Sequence, residues 1–222
     1  IDLVEPSDWP VLREHGLICS MTPTHAIVKG LNNANHHAEC LARIGEAIDA
    51  TAAAGFPNVI CFSGNREPTL SDTAGREQTI AALRQIAPHA EHSGVNVCIE
   101  LLNSKVDHAG YMCDTADWAA GVLRAVGSPR VKMLFDIYHA QVQHGDIIAT
   151  IRRHADVIGH YHTAGVPGRH EIDDTQELQY PAIMRAIAET GFAGFVAQEF
   201  VPLGDPLTAL REAFRICDVL PQ

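Results

Sequence analysis

The chain has 222 residues, of which 46% are hydrophobic and 19% are charged, a composition typical of one large globular domain with a substantial core. Its 16 basic and 27 acidic side chains give a formal net charge of −11, which disfavours nucleic acid and anionic membrane surfaces as partners. No apolar run approaches the roughly 20 residues of a membrane span, so we expect one domain over residues 1–222 and no membrane partner.

Strand-like and helix-like segments alternate along the chain from its start to its end. Apolar runs predict strands over residues 1–4, 17–21, 58–62, 95–102, 131–136, 157–164 and 194–201. Helical spacing with capping and stop signals predicts helices over residues 10–15, 36–54, 73–92, 115–126, 146–154, 181–191 and from 206 onwards. This alternation indicates a parallel α/β fold, and the TIM (β/α)8 barrel is its commonest closed form.

The predicted strands number seven, one fewer than an eight-stranded barrel contains. Because the chain opens inside an apolar run, we expect that the first strand–helix unit of the barrel is missing from it. An open doubly wound sheet is the alternative, but the sequence has no glycine-rich phosphate-binding fingerprint to support that fold.

Four polar side chains stand at the ends of four successive predicted strands: Glu100, Asp136, His162 and Glu199. They are 36, 26 and 37 residues apart, about one strand–helix unit per step. Because parallel strands of a barrel end at the same mouth, these side chains are expected to converge. The three carboxylates would repel one another strongly unless a cation lay between them, so their matching placement predicts a site for one divalent metal ion.

Other polar residues near these strand ends have both a structural and a functional interpretation. His160 faces the same way as His162 along its strand, so the spacing does not decide which of the two is the metal ligand. His139 and Asn103 could each bind substrate or begin the segment after a strand. Arg169 lies in a loop just past His162 and is suited to a substrate carboxylate, although a solvated loop arginine is the plain alternative.

The six cysteines contain no Cys-x-x-Cys pair. A chain of this size and core content does not need disulfides, so free thiols and a cytoplasmic location are expected. An upstream targeting segment is the competing interpretation, because the chain begins with Ile1 rather than Met.

Three segments resemble the sugar isomerase/epimerase superfamily of metal-dependent, xylose isomerase-like TIM barrels, and most closely its hydroxypyruvate isomerase branch. They are IELLN at residues 99–103, LFDIYHAQ at 134–141 and AGVPGRHE at 164–171, in that order along the chain. The last is the most specific of the three. The resemblance covers nearly the whole chain, from Ile1 to the last helix.

The resemblance implies a role for most of the candidate residues. It assigns four metal ligands, namely Glu100, Asp136, His162 and Glu199. Glu100 and Glu199 would also be the proton-transfer pair, while His139 and Arg169 would bind substrate. One position departs from the pattern, because hydroxypyruvate isomerases carry Gln where this chain has His162 and the ketose 3-epimerases carry His.

The activity implied by the resemblance is isomerisation of a small α-hydroxy carbonyl compound, hydroxypyruvate to tartronate semialdehyde, by proton transfer through a metal-bound enediolate. Magnesium or manganese suits three carboxylates, and the histidine leaves zinc, iron or cobalt open.

Ketose 3-epimerisation and inosose dehydration are alternative reactions, and a non-catalytic sugar-binding barrel is the alternative outside enzymes. The endonuclease branch is disfavoured because it needs a larger ligand set and a basic DNA-facing surface. The expected partner is a small-molecule substrate, and a homo-oligomer is left open.

Overall fold

The protein forms a curled parallel β-sheet that is covered by helices. The computed structural model describes residues 1–219, so the last three residues of the predicted domain, 220–222, lie outside the described part. Five strands follow one another in chain order, and each neighbouring pair is parallel. They are β1 (Asn58–Cys61), β2 (Asn96–Glu100), β3 (Val131–Asp136), β4 (Ile158–Thr163) and β5 (Val196–Gln198).

Helices alternate with these strands, as the sequence pattern predicts. They are α1 (Trp9–Glu14), α2 (Ala34–Ala54), α3 (Asp72–Ser93), α4 (Ala116–Val126), α5 (Ile137–Gln143), α6 (Ile147–His154), α7 (Tyr180–Glu189) and α8 (Pro206–Cys217). Within residues 1–219, no helix combines the length and the apolar character needed to cross a membrane.

The first two predicted strands are shorter in the structure than the sequence suggests. What remains are two parallel bridges: Asp2 with Met21, which joins the two predicted strands, and Thr22, one residue past the second, with Val59 of β1. Leu3 has a φ of 57°, which ends the first extended run, and the proline after Thr22 has no N–H to continue the second ladder. The bridges still extend the parallel order in front of β1, so the TIM-barrel class of fold is confirmed.

The strands are buried because helices cover the outside of the sheet and side chains fill its inside. Strands β1 to β4 are buried at nearly every position, which is typical of parallel sheets. All six cysteines are free, five of them buried, as expected for a core without disulfides. Burial of this kind leaves the strand ends as the places where polar side chains can meet.

Helix α5 was not predicted from the sequence. It begins directly after β3, where the side chain of Asp136 accepts a hydrogen bond of 2.9 Å from the backbone N–H of His139. The helix follows the apolar run of β3 without a break, and its capping residue, Asp136, is interpreted from the sequence as a ligand at the strand end, so no separate start signal marks it. The cap fixes the carboxylate of Asp136 at the mouth of the barrel.

The hydroxyl of Tyr111 ties the end of β2 to the loop after β1. This fully buried group accepts a hydrogen bond of 3.0 Å from the N–H of Ser63 and donates one of 3.0 Å to the carbonyl of Glu100. We expect Tyr111→Phe to lower the free energy of unfolding by about 1–3 kcal/mol, because it leaves the Ser63 N–H buried without a partner. Urea unfolding measures the change.

Tyr161→Phe is the matched control for this substitution. Tyr161 is equally buried, but its hydroxyl makes no hydrogen bond to any residue among 1–219, so its loss should cost much less. Equal losses of stability in the two variants would contradict a tie through Tyr111.

Candidate metal centre

The four polar side chains predicted to converge do meet at one mouth of the barrel. Glu100 and Asp136 are the last residues of β2 and β3, His162 lies one position before the end of β4, and Glu199 follows β5. A carboxylate oxygen or ring nitrogen from each lies within 4.8 Å of those of the other three. The strand-end spacing therefore identified a real cluster.

The register of the sheet places these side chains side by side. Asp136 and His162 are directly paired across β3 and β4. The backbone N–H of Glu199 donates 3.0 Å to the carbonyl of Thr163, which holds the residue after β5 against the end of β4. Asp136 and His162 are almost wholly enclosed, whereas the side chain of Glu199 is 31% exposed. The cluster thus opens to solvent on the Glu199 side.

The Nδ1 atom of His162 is buried and has no hydrogen-bond partner. It lies 2.7 Å from Oε2 of Glu199, 3.5 Å from Oε1 of Glu100 and 3.8 Å from Oδ2 of Asp136, but none of these oxygens is placed for a hydrogen bond. Its other ring nitrogen, Nε2, lies 2.8 Å from Oδ2 of Asp2. The unpartnered nitrogen is therefore directed into a group of three carboxylates.

The carboxylates of the cluster differ in their protonation behaviour. Burial raises the pKa of Glu100 to about 7, and the neighbouring imidazole of His162 offsets only part of that rise. Burial also opposes the ionisation of Asp136, but His139, which is protonated at the low pH where Asp136 titrates, together with Arg169 and His162 holds the pKa of Asp136 at about 2. Burial lowers the pKa of His162, yet the surrounding carboxylates raise it well above its ordinary value. Such opposed shifts are typical of functional sites.

This set of atoms fits a divalent cation. A buried, unpartnered imidazole nitrogen and three converging carboxylates are a donor set that magnesium, manganese, zinc, iron and cobalt all accept. A cation there would balance the carboxylate charge and give the nitrogen a ligand bond. The residues that would hold it are the four predicted ones, Glu100, Asp136, His162 and Glu199.

Arg169 reaches the same cluster from the loop after β4. One terminal nitrogen, Nη2, donates 2.9 Å to Oδ2 of Asp136 and also donates to Glu199. Its guanidinium lies 5.0 Å from the ring centre of Tyr138, close enough for a cation–π contact. The residue has a φ of 59°, a conformation rare for side chains larger than glycine and often found at functional sites.

His139 faces Arg169 from the first turn of α5. Its Nδ1 accepts a hydrogen bond of 2.7 Å from the amide nitrogen of Asn103, so in the neutral ring the proton is on Nε2. Burial lowers the pKa of His139 to about 4, which keeps the ring neutral. Its Nε2 lies 2.7 Å from Nη1 of Arg169, and because a guanidinium can only donate, this contact is a hydrogen bond when Nε2 is unprotonated. The neutral ring has one unprotonated nitrogen, so it cannot accept from Asn103 and from Arg169 at the same time.

Asn103 lies behind His139 and is completely buried. Its carbonyl accepts bonds of 3.0 Å from the N–H groups of Val106 and Asp107, and its amide nitrogen donates 2.7 Å to Asp107 and to His139. All of its hydrogen-bonding capacity is therefore used within the protein, which favours the capping interpretation over direct substrate contact.

His160 is directed away from the carboxylate cluster. Its Nε2 lies 2.6 Å from Oδ2 of Asp2, the same oxygen that His162 contacts. The geometry therefore favours His162 over His160 as the metal ligand. The sequence does not identify Asp2 as a site residue, because nothing about an isolated acidic residue in a short apolar run indicates that it contacts histidines near the other end of the chain.

The sequence pattern of the xylose isomerase-like TIM barrels matches residues 10–218. The chain belongs to this family. The match agrees with the parallel strand order and with the position of the cluster at the carboxyl ends of the strands.

Two relatives in this family carry names that describe isomerases. A human protein, provisionally named a hydroxypyruvate isomerase, is 29% identical over 170 residues, which cover 74% of this chain and 61% of the relative. A protein from Cupriavidus necator named 2-oxo-tetronate isomerase is 31% identical over 159 residues, covering 72% of this chain and 60% of the relative. The chain thus spans about three fifths of the length of these relatives.

A solved structure supports the same family assignment. The crystal structure of a family 2 AP endonuclease from Brucella melitensis superposes with a TM-score of 0.85 at 25% sequence identity. The superposition covers 95% of this chain and 82% of the other. A barrel with this arrangement of strands is therefore shared along almost the entire chain.

Proposed function

We propose that the protein is a metal-dependent isomerase of a small α-hydroxy carbonyl compound, most simply of hydroxypyruvate to tartronate semialdehyde. One observation carries the proposal. Two glutamates, Glu100 and Glu199, come from different strands to one cluster with a metal-type donor set, and Arg169, which lies beside His139, donates to the same cluster. The site therefore combines proton-transfer groups with donors for substrate oxygens.

Each residue has a defined task in this reaction. One glutamate removes a proton from C3 of hydroxypyruvate while the C2 carbonyl oxygen gains one, which gives an enediol. The other glutamate returns a proton to C2 as the C3 hydroxyl loses its proton, which leaves an aldehyde at C3. A divalent cation, when bound, supplies Lewis-acid polarisation of the two substrate oxygens. Glu100 is almost wholly buried, and burial raises its pKa and so strengthens it as a base.

Arg169 and His139 are the groups that we assign to the substrate carboxylate and carbonyl. The planar guanidinium can make two parallel hydrogen bonds to a carboxylate, and Tyr138 supports one of its faces. The Nε2–H of His139, fixed by Asn103 on the opposite side of the ring, can donate to a substrate oxygen. The name of the Cupriavidus necator relative supports a substrate of this class, a small 2-oxo acid.

Epimerisation of a keto sugar is the second candidate function. It uses the same proton abstraction, followed by return of the proton to the opposite face of the same carbon. The observation that favours it is the presence of His162 in the cluster, since the resemblance associates histidine at this position with ketose 3-epimerases. The two candidates share a mechanism and differ in substrate.

Solvent isotope exchange tests the proposal. We expect protein supplied with Mg²⁺ to convert hydroxypyruvate in heavy water and to introduce deuterium at carbon, both visible by proton NMR. The same assay is run with 2-oxo-tetronate, several ketoses and inosose. Turnover of ketoses alone would move the substrate to the epimerase candidate. If protein that binds the cation shows no turnover and no exchange with any of these compounds, that result would contradict catalysis and favour a sugar-binding barrel.

A further inference from the structure

We propose that Asp2 is a positioning residue that holds His162 in the tautomer with its proton on Nε2, so that Nδ1 is free to bind the metal. The proposal rests on the proposed metal site. Asp2 is not one of the four proposed ligands, and it acts through the far side of one imidazole ring.

The contacts of Asp2 define this arrangement. Its Oδ2 lies 2.8 Å from Nε2 of His162, on the opposite side of the ring from the carboxylate cluster. A carboxylate can only accept a hydrogen bond here, so Nε2 must carry the proton. With Nε2 committed to Asp2, Nδ1 is the ring nitrogen that is left to bind a metal ion, which it does in its unprotonated form.

Asp2 is itself held in place by three further contacts. Its other carboxylate oxygen accepts a hydrogen bond from the hydroxyl of Ser20. Its backbone forms a parallel bridge with Met21. Nε2 of His160 lies 2.6 Å from Oδ2, so two buried imidazole rings, 5.2 Å apart and nearly perpendicular, converge on one oxygen. The side chain of Asp2 is only 8% exposed, and water does not compete for these bonds.

The same three side chains offer a competing interpretation. One ligand-type atom from each of Asp2, His160 and His162 lies within 4.8 Å of the others, a grouping that could hold a cation of its own. Two distances of 2.6 and 2.8 Å from ring nitrogens to one shared oxygen are, however, those of charge-assisted hydrogen bonds. The geometry thus favours a carboxylate–histidine–metal relay over a second metal site.

Calorimetric titration of metal-stripped protein with Mn²⁺ tests the proposal. Asp2→Asn keeps the shape but removes the charge, and its amide can turn to donate to Nε2 and reverse the tautomer. We expect its Kd for Mn²⁺ to rise about 10–100-fold. Asp49→Asn is the matched control, because Asp49 lies 2.7 Å from the ring of His89 on the outer helices, remote from the cluster. Its Kd should not change.

Glu199→Gln, together with Glu199→Ala, distinguishes a failure of the role of Asp2 from a failure of the proposed metal site. If Glu199→Gln weakens Mn²⁺ binding but Asp2→Asn binds like Asp49→Asn, the role of Asp2 is wrong and the metal site stands. If Glu199→Ala, which removes the ligand oxygens altogether, also binds Mn²⁺ like the wild type, the metal site itself is wrong. Binding of two Mn²⁺ ions, with one lost in Asp2→Asn, would make Asp2 a ligand and overturn the positioning role.

The tautomer of His162 can be determined in the wild-type protein, even if the Asp2→Asn variant does not fold. Nitrogen-15 NMR of histidine-labelled protein with Mg²⁺ bound, assigned by comparison with His162→Gln, distinguishes a protonated from an unprotonated ring nitrogen. We expect a proton on Nε2 and none on Nδ1 of His162. A proton on Nδ1 would overturn the proposal.

Discussion

Glu199→Gln and Glu100→Gln are each expected to lower kcat by about 10²–10⁴-fold at saturating Mn²⁺. The amide keeps the size of the side chain and can still offer an oxygen to a metal, but it cannot accept a proton from carbon. Each glutamate serves one of the two proton transfers, so loss of either one interrupts the cycle. Circular dichroism and metal analysis accompany the kinetics, to separate loss of chemistry from loss of fold or cation.

Glu189→Gln is the matched control for both substitutions. Glu189 pairs with Arg152 at 2.8 Å on the surface, and both side chains are more than half exposed. Its replacement should leave kcat and metal content unchanged. A Glu100→Gln or Glu199→Gln enzyme that retains wild-type kcat would exclude the two-glutamate mechanism.

Arg169→Lys should raise KM for hydroxypyruvate by about 10–100-fold, because a hydrogen bond to a charged group contributes about 1.5–3 kcal/mol and a point charge cannot replace both bonds of a planar fork. The same substitution should not weaken metal binding. The guanidinium donates to Asp136 and Glu199, two of the proposed ligands, so it competes with the cation for their charge. Steady-state kinetics and Mn²⁺ titration measure the two effects.

Arg152→Lys supplies the matched control, since it changes an arginine that is paired on the surface with Glu189. If Arg169→Lys has the kinetics of that control, Arg169 is a structural loop residue. If its KM is unchanged and its metal content falls, Arg169 supports the metal ligands and does not bind substrate.

The position of the cluster followed from the sequence because it depends on two regular features. Parallel strands end at the same mouth, and their spacing along the chain is one strand–helix unit, so Glu100, Asp136, His162 and Glu199 could be grouped without coordinates. The alternation of strands and helices predicted the fold class for the same reason. The regular spacing of the strand ends and the alternation of strands and helices are therefore the features that the sequence predicts.

The missed features depend on contacts that leave no periodic signal. Asp2 meets His160 across 158 residues of chain, and nothing in the local sequence marks such a partner. The sequence leaves Asn103 open between substrate contact and capping, and only the structure shows that its amide is used by its own turn and by His139. Helix α5 follows β3 without a break, so nothing in the sequence marks where the strand ends and the helix begins.

The central claim is that Glu100, Asp136, His162 and Glu199 bind one divalent metal ion. Anomalous diffraction from crystals grown with Mn²⁺ tests it most directly. We predict one strong peak among these four side chains, with ligand distances of about 2.0–2.6 Å and with Nδ1 as the coordinating atom of His162. A fully occupied Mn²⁺ elsewhere in the barrel, or crystals with substrate bound and no peak at this cluster, would contradict the account.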